Sequence, residues 1–275
     1  MAITNFITSV WSETLLNSLE KEYIGVRNCN REFEGEIKAK GDSVKVCGIK
    51  PVAIFNYMKN YPIQSPQVLE DKSIRISADT ACGFNFQIDD IDRAQSAPNI
   101  MKAAMRQAAS GLANKADKYV YQLYNDADVQ NNITNDSVTP ENIIDTIISV
   151  RETMLTNNVN SNTETVLEVS PAIASIILKA QIAKLGNNAD AMYNGYIGSF
   201  IGFDIYVSNN IAFADGQYKC FARTKRAIAF AEKIKSIVAY RPEDRFCDAI
   251  KGLYLFGGKV VYPEELVVVS LKPAA

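Results

Sequence analysis

The sequence predicts an α+β fold, because three kinds of segment follow one another along its 275 residues. Residues 42–49 and 73–77 alternate apolar and polar side chains with the period of two that half-buried β-strands show. Residues 96–125 instead repeat apolar side chains every three or four positions, as an amphipathic helix does. From residue 139 onward, helical and extended segments alternate, which indicates an α/β region.

Residues 1–34 are predicted to form an N-terminal arm, because they show no sustained repeat. Only a short helical face is spaced correctly, from Trp11 to Leu19. A tryptophan beside a short apolar stripe suits an anchor on another subunit, and an ordinary core position explains it about as well. We therefore take Trp11 as a candidate subunit contact.

Residues 35–90 are predicted to form an extended β-hairpin loop with a turn-rich tip. Its limbs are expected at 42–49, with a second extended stretch at 52–57, and from residue 73 to residue 88. Limbs of about 20 residues would reach roughly 65 Å, more than a compact domain of this size can cover, so part of the loop should protrude. A two-stranded ribbon is barely stable alone, so we expect it to lie on a neighbouring subunit. Lys59 and Arg75 are candidate contacts there.

Residues 91–138 contain the strongest helix pattern of the chain, predicted over 96–125. About 29 residues give a helix roughly 43 Å long. Its apolar stripe is rich in alanine and methionine, which permits another layer to approach closely. Three aspartates precede it, and a favourable helix dipole explains them better than a metal cluster does. Residues 126–138 are predicted to be a polar loop.

Residues 139–240 are predicted to alternate helices and strands as one α/β domain. Residues 241–275 are predicted to return to the first part of the fold as short strands, interrupted at Gly257-Gly258 and Pro263. The predicted helices begin at Thr139-Pro140 and Ser170-Pro171, with a further one over 225–232, and the predicted strands are 165–169, 200–207 and 218–222.

The run from Arg241 to Arg245 interleaves charges of opposite sign. One interpretation is a solvated loop held by its own ion pairs. The other is a charged contact between subunits that fixes their register. Under the second interpretation, Arg241, Asp244 and Arg245 are candidate subunit contacts.

The composition excludes much chemistry, because the chain has no histidine. A Ser-His-Asp triad and a histidine zinc site are therefore impossible. Five cysteines without a C-x-x-C spacing indicate reduced thiols rather than a disulfide framework. No phosphate loop or dinucleotide fingerprint occurs, and no apolar stretch approaches the length of a membrane span. We expect no catalytic residue, no cofactor, no metal and no membrane partner.

The charge also argues against a dedicated nucleic-acid binder, because 29 basic residues face 31 acidic ones. Proteins whose affinity comes from phosphate contacts carry a basic face or stripe. Any nucleic acid that this chain meets should therefore be bound weakly and without sequence specificity.

The order of these parts resembles that of tailed-phage major capsid proteins of the Hong Kong 97 fold. That family has an N-terminal arm, an extended loop, a spine helix in a peripheral domain, and an axial α/β domain. Local sequence is similar as well. The similar segments are the opening MAITNFITSVWSETLL, 33–37 (FEGEI), 41–44 (GDSV), 84–90 (FNFQIDD), 202–210 (GFDIYVSNN), 241–246 (RPEDRF) and 251–253 (KGL).

The resemblance implies a structural protein of the virion, not an enzyme. Copies would form hexamers and pentamers that close into an icosahedral head around double-stranded DNA. Assembly would take place in the bacterial host cytoplasm, with a portal protein. The family-like sequence begins at residue 1, so we expect the scaffolding protein to be a separate chain.

Two other functions are open at this stage. An encapsulin-like bacterial compartment would share the fold and enclose cargo enzymes instead of DNA. A histidine-free α/β enzyme would need a pocket that holds a lysine or a carboxylate with a perturbed pKa.

Overall fold

The computed structural model describes residues 15, 23–32, 41–49, 54–59, 65–68, 71–89, 100–160, 162–185, 196–244 and 246–274. The helices are α1 (Ile100–Gln122), α2 (Ile143–Thr156) and α3 (Pro171–Leu185). The strands are β1 (Ser43–Ile49), β2 (Asp71–Ser77), β3 (Thr80–Asp89), β4 (Ile133–Val138), β5 (Thr165–Val169), β6 (Tyr196–Phe200), β7 (Phe203–Val207), β8 (Phe213–Ala214), β9 (Gln217–Thr224), β10 (Ile228–Tyr240), β11 (Cys247–Val260) and β12 (Leu266–Pro273). Short 3₁₀ turns lie at Val26–Asn28, Leu123–Asp126, Val129–Asn131 and Pro263–Glu265.

A mixed sheet of seven strands forms one half of the body, in the order β4-β12-β9-β5-β7-β6 with β8 beside β9. Strand β5 is buried at every position. Its Thr165 accepts a hydrogen bond from Arg151 of α2, whereas Glu168 accepts one from Asn28. Positions 165 and 168 point to opposite sides of a strand, so both faces of the sheet are covered.

A three-stranded antiparallel sheet, β10-β11-β3, forms the other half. The helix predicted over 225–232 is wrong, because residues 225–227 form a turn and β10 begins at Ile228. A window with buried residues at nearly every position has no diagnostic period. The segment is a strand because β10 pairs with β11 from Ile228 to Tyr240, and sequence periodicity alone could not distinguish this from a helix.

The predicted break at Gly257-Gly258 is also wrong, because β11 runs unbroken through both residues. Likewise, the single strand predicted over 200–207 is a hairpin, β6 and β7, which turns at Ile201-Gly202 with positive φ at both residues. The predicted polar loop over 126–138 contains β4, which lies parallel to β12. Its solvent-facing polar residues hid the strand.

The long helix is confirmed over 100–122. One face is buried at the expected spacing of three and four, and its members are Met105, Ala109, Leu112, Ala116 and Val120. Asp117 is buried on the same side, although its charge predicts a solvent position. The predicted start at Ser96 lies outside the described residues.

The predicted hairpin is confirmed in its first part, where β1 and β2 pair antiparallel from Ser43–Ser77 to Ile49–Asp71. The second limb ends at Ser77, because β3 pairs with β11 instead. Residues 80–89 therefore belong to the three-stranded sheet. β12 joins the seven-stranded sheet rather than β10 and β11. The division of the chain into the five predicted segments as separate domains remains a prediction.

A buried ion pair ties the N-terminal segment to the seven-stranded sheet. The guanidinium of Arg223 on β9 donates to both carboxylate oxygens of Glu168 on β5, at 3.0 and 2.9 Å. It also donates to the backbone carbonyls of Gly25 and Asn28, at 2.7 and 2.8 Å. Both charged side chains are fully buried. Residues 25–28 thus complete the hydrogen bonding of this ion pair.

Arg223→Met should lower the free energy of unfolding by about 3–5 kcal/mol, because it leaves the Glu168 carboxylate buried without its cation. Chemical denaturation of the unassembled subunit measures the change. Lys225→Met is the control, since the ion pair of Lys225 with Glu164 is exposed and should change stability little. Equal losses in the two variants would contradict the assignment.

Candidate subunit-contact surfaces

The root of the N-terminal arm is held by a second buried carboxylate. Asp117 of α1 accepts hydrogen bonds from the backbone N–H groups of Ile24 and Val26, at 3.0 and 2.9 Å. Burial raises the pKa of Asp117 to about 6, although those donors lower it. Asp117 and Arg223 therefore hold the segment from two sides, one through its N–H groups and the other through its carbonyls.

The same segment also reaches the three-stranded sheet. Tyr23 donates to Glu232 of β10 at 2.6 Å, and Arg31 pairs with the other oxygen of Glu232 at 2.7 Å. Tyr254 of β11 donates to Glu232 as well. Burial raises the pKa of Tyr23 well above its ordinary value, and the Glu232 charge adds to this. Asn30 forms a backbone bridge with β10, so residues 23–31 join both sheets.

The extended loop exposes an unusual amount of apolar surface near its tip. Ile54 is 97% exposed and Val68 is 83% exposed, and Phe55, Tyr57 and Met58 are exposed too. At the base, by contrast, Val44 and Ile76 are buried. Contiguous apolar surface on a soluble protein marks an interaction site. Sequence reasoning predicted the protruding loop and missed these contact residues, although apolar side chains in a turn-rich stretch could have indicated them.

The predicted contact residues are distributed over three places. Lys59 is exposed beside the apolar tip, and Arg75 is exposed on β2, directly opposite Lys45 of β1. Arg241 and Asp244 lie in the loop between β10 and β11. Trp11 and Arg245 lie outside the described residues. The structure therefore does not bring the six candidates together.

The loop between β10 and β11 supports both earlier interpretations. Arg241 forms an exposed ion pair with Asp248 at 3.8 Å, as a solvated loop would. Next to it, Phe246 is 85% exposed. An exposed phenylalanine at the end of a long hairpin favours a contact with another molecule. Charge alone pointed to this loop, and the aromatic residue was missed.

Two grooves lie on the surface of the body. One, of about 550 Å³, is lined by Ile148, Arg151, Glu152, Leu155, Thr156 and Ile201. The other, of about 260 Å³, is lined by Arg27, Asn28, Glu164, Val166, Asp204, Tyr206 and Lys225. The second groove contains the exposed ion pair of Lys225 with Glu164, and this pairing lowers the pKa of Glu164. Within the described residues, no group of three or more metal-ligating side chains is placed to hold an ion. No helix in those residues is long and apolar enough to cross a membrane.

The described chain thus combines a body of two sheets and a long helix with a hairpin that exposes apolar side chains. The family model described as phage capsid protein matches residues 71–269, and the chain belongs to that family. No curated protein matches the sequence.

Solved structures agree with the family. A chain from Mycobacterium phage Che8 is 25% identical, with 90% of each chain covered and a TM-score of 0.67. The bacteriophage PhiM1 mature capsid is 14% identical, with 88% of this chain and 87% of that chain covered and a TM-score of 0.64. The holo-SrpI encapsulin complex from Synechococcus elongatus is 9% identical, with 85% and 83% covered and a TM-score of 0.59.

These likenesses confirm the predicted α+β class and the Hong Kong 97 fold. The protein is a major capsid subunit of a bacteriophage, a structural protein of the virion that associates with copies of itself into shells.

The free energy of unfolding should fall as the pH rises from about 4 to about 6, as far as Asp117 contributes. In this interval the folded protein keeps a proton on Asp117 that the unfolded chain has released. Above pH 6 both states are charged, and the contribution is constant. The full difference amounts to roughly 3 kcal/mol.

Asp117→Asn isolates this contribution, because an amide does not ionise. Urea denaturation of both proteins at several pH values gives the difference in unfolding free energy. Between pH 4 and pH 6, the unfolding free energy of the wild type should fall relative to that of Asp117→Asn. Above pH 6, the difference between the two proteins should stay constant. Parallel curves across this range would show that Asp117 has an ordinary pKa in the folded state.

Proposed function

We propose that the subunits assemble as hexamers and pentamers into an icosahedral head that encloses double-stranded DNA. The carrying observation is the exposed apolar tip of the extended loop, from Ile54 to Met58 and at Val68. Large apolar side chains exposed together in one loop mark a surface that contacts another molecule. In a shell, the nearest available cover is the next copy of the same chain.

Within the contacts between subunits, the six residues chosen from the sequence remain proposals. Lys59 and Arg75 would lie on the neighbour that the extended loop covers. Arg241, Asp244 and Arg245 would meet another subunit at the end of the three-stranded sheet, where exposed Phe246 supports a contact. Trp11 would anchor the N-terminal arm on an adjacent copy.

The remaining partners belong to the same proposal. A separate scaffolding protein would guide assembly in the host cytoplasm, and a portal protein would occupy one vertex. DNA would be held without sequence specificity, which fits the near balance of 29 basic and 31 acidic residues. The subunit would not be an enzyme. The described carboxylates with a perturbed pKa both have structural partners: Asp117 is buried on backbone N–H groups, and Glu164 forms an exposed ion pair with Lys225.

An encapsulin-like compartment is the second candidate, favoured by the likeness to the encapsulin complex. Particle contents separate the two functions. Sedimentation velocity of the purified protein should show capsomers or megadalton particles. Particles from infected or induced cells should contain double-stranded DNA. Nuclease should digest this DNA only after the particles have been disrupted. Particles that instead contain one stoichiometric enzyme and no DNA would identify a compartment.

Removal of residues 58–68 should leave the monomer folded and abolish closed shells, because the loop loses its contact with the neighbour. A finer variant replaces Ile54, Tyr57 and Met58 by serine. Val129→Ser is the matched control, since Val129 is 80% exposed but lies far from the loop in sequence, in a 3₁₀ turn. Electron microscopy and gradient sedimentation give the yield of shells. A wild-type yield from the loop variants would contradict the proposed contact.

A further inference from the structure

The base of the extended hairpin rests on the body over a set of very small residues. Ala231 of β10 pairs with Gly257 of β11, and Ala229 lies two positions earlier on β10. Ala231 packs in one buried cluster with Ala78 and Val44. Ala229 packs in another with Ile76 and Val261. We call Ala229, Ala231 and Gly257 the hairpin seat.

Gly257 is the tightest point of the seat. A Cβ atom at this position would lie 2.0 Å from the carbonyl oxygen of Ser77, 2.8 Å from its carbonyl carbon, and 3.0 Å from Cα of Ala78. All three are backbone atoms, so no side-chain rotation could relieve the contact. Gly257 does not have a positive φ, so the missing side chain, not backbone freedom, is what the position requires.

Two backbone hydrogen bonds join the two limbs at the base of the hairpin. The Gly41 N–H donates to the Ala78 carbonyl, and the Ala78 N–H donates to the Asp42 carbonyl, both at 3.1 Å. These bonds continue the β1–β2 pairing, so the two limbs must move together.

Burial of the described hairpin is concentrated at the seat. Val44, Ile76 and Ala78 are buried, and Val46 and Ile74 are partly buried beside them. Further out, Ile54 and Met58 are exposed. The contact at the base is therefore what orients the arm with respect to the body.

We propose that the hairpin seat sets the angle at which the extended loop leaves the body, with Gly257 as the positioning residue, and that this angle determines the curvature and size of the shell. The inference rests on the proposed function, in which the loop lies over a neighbouring copy. A neighbour bound at the end of a tilted loop takes a different orientation, and repetition of that orientation gives a different closed surface.

The geometry makes the angle sensitive to one methyl group. With a side chain at position 257, the distance between its Cβ and the Ser77 oxygen must increase from 2.0 Å to at least 3.4 Å, the start of ordinary van der Waals contact. This displacement acts at one end of β2, whose seven residues span roughly 20 Å. A lift of more than 1 Å at the base thus becomes a larger displacement at the tip.

Gly257→Ala tests the inference, with Gly111→Ala as the matched control. A Cβ at Gly111, on α1, meets nothing within 4 Å, and alanine is the better helix former. Electron microscopy gives the diameter and closure of the particles, and calorimetry of the unassembled subunits gives their melting temperature. Both measurements use the full chain.

The control should form shells of wild-type diameter. Gly257→Ala should fold, with its melting temperature lowered by roughly 3–10 °C, as overpacking of a buried site does. Its yield of wild-type-diameter shells should fall by roughly tenfold or more, with open sheets or particles of another diameter in their place. Folded Gly257→Ala subunits that give the wild-type diameter and yield would overturn the inference.

If Gly257→Ala does not fold, Ala231→Ser decides the question, because it adds one atom beneath Val44 and Ala78. A change of diameter supports the seat, and wild-type shells overturn it. The loop-tip variants separate the two proposals. Wild-type shells from the tip deletion refute the contact with the neighbour. Loss of shells from that deletion, together with wild-type shells from the seat variants, refutes the seat alone.

Discussion

The fold depends on a guanidinium that has no contact with water. Arg223 is fully buried, and so is its partner Glu168. Two charges in the interior cost several kcal/mol each unless every polar atom finds a partner. The carbonyls of Gly25 and Asn28 supply the missing acceptors, so the N-terminal segment must be in place. That segment also bridges to β10 through Asn30, and the two sheets are thereby joined.

The extended hairpin is attached in the opposite way. In the part of the chain that the structure describes, its base is held by small apolar contacts, where Ala78 packs on Ala231 and the backbone crosses Gly257. Small residues permit close contact and bury little area, so this attachment is geometrically strict but energetically modest. The N-terminal segment holds the two sheets of the body together. The hairpin then takes its orientation relative to that body. A shell subunit needs both, because the body must be constant while the contacts between subunits define curvature.

The predictable elements were those with one period and local caps. The apolar stripe predicted helix α1. An apolar run predicted the strand Thr165–Val169, and the Ser170-Pro171 cap predicted the start of the helix Pro171–Leu185. Strand β10 was misread because burial at nearly every position of its first half leaves no period. Of the site, the protruding loop was predictable, but the Gly257 crossing was not. Arg223 and Glu168 lie 55 residues apart, and only the tertiary fold brings them together.

The magnitude of the loop contact suits assembly of many copies. Covering a large apolar side chain contributes about 1.5–3 kcal/mol, so Ile54, Tyr57, Met58 and Val68 together supply several kcal/mol. Association costs about 4–15 kcal/mol in lost freedom, which leaves one isolated contact near balance. A subunit in a closed shell makes several contacts for a single loss of freedom. Closure is therefore favoured over pairs, and it is reached only when the contacts form at angles that a closed surface permits.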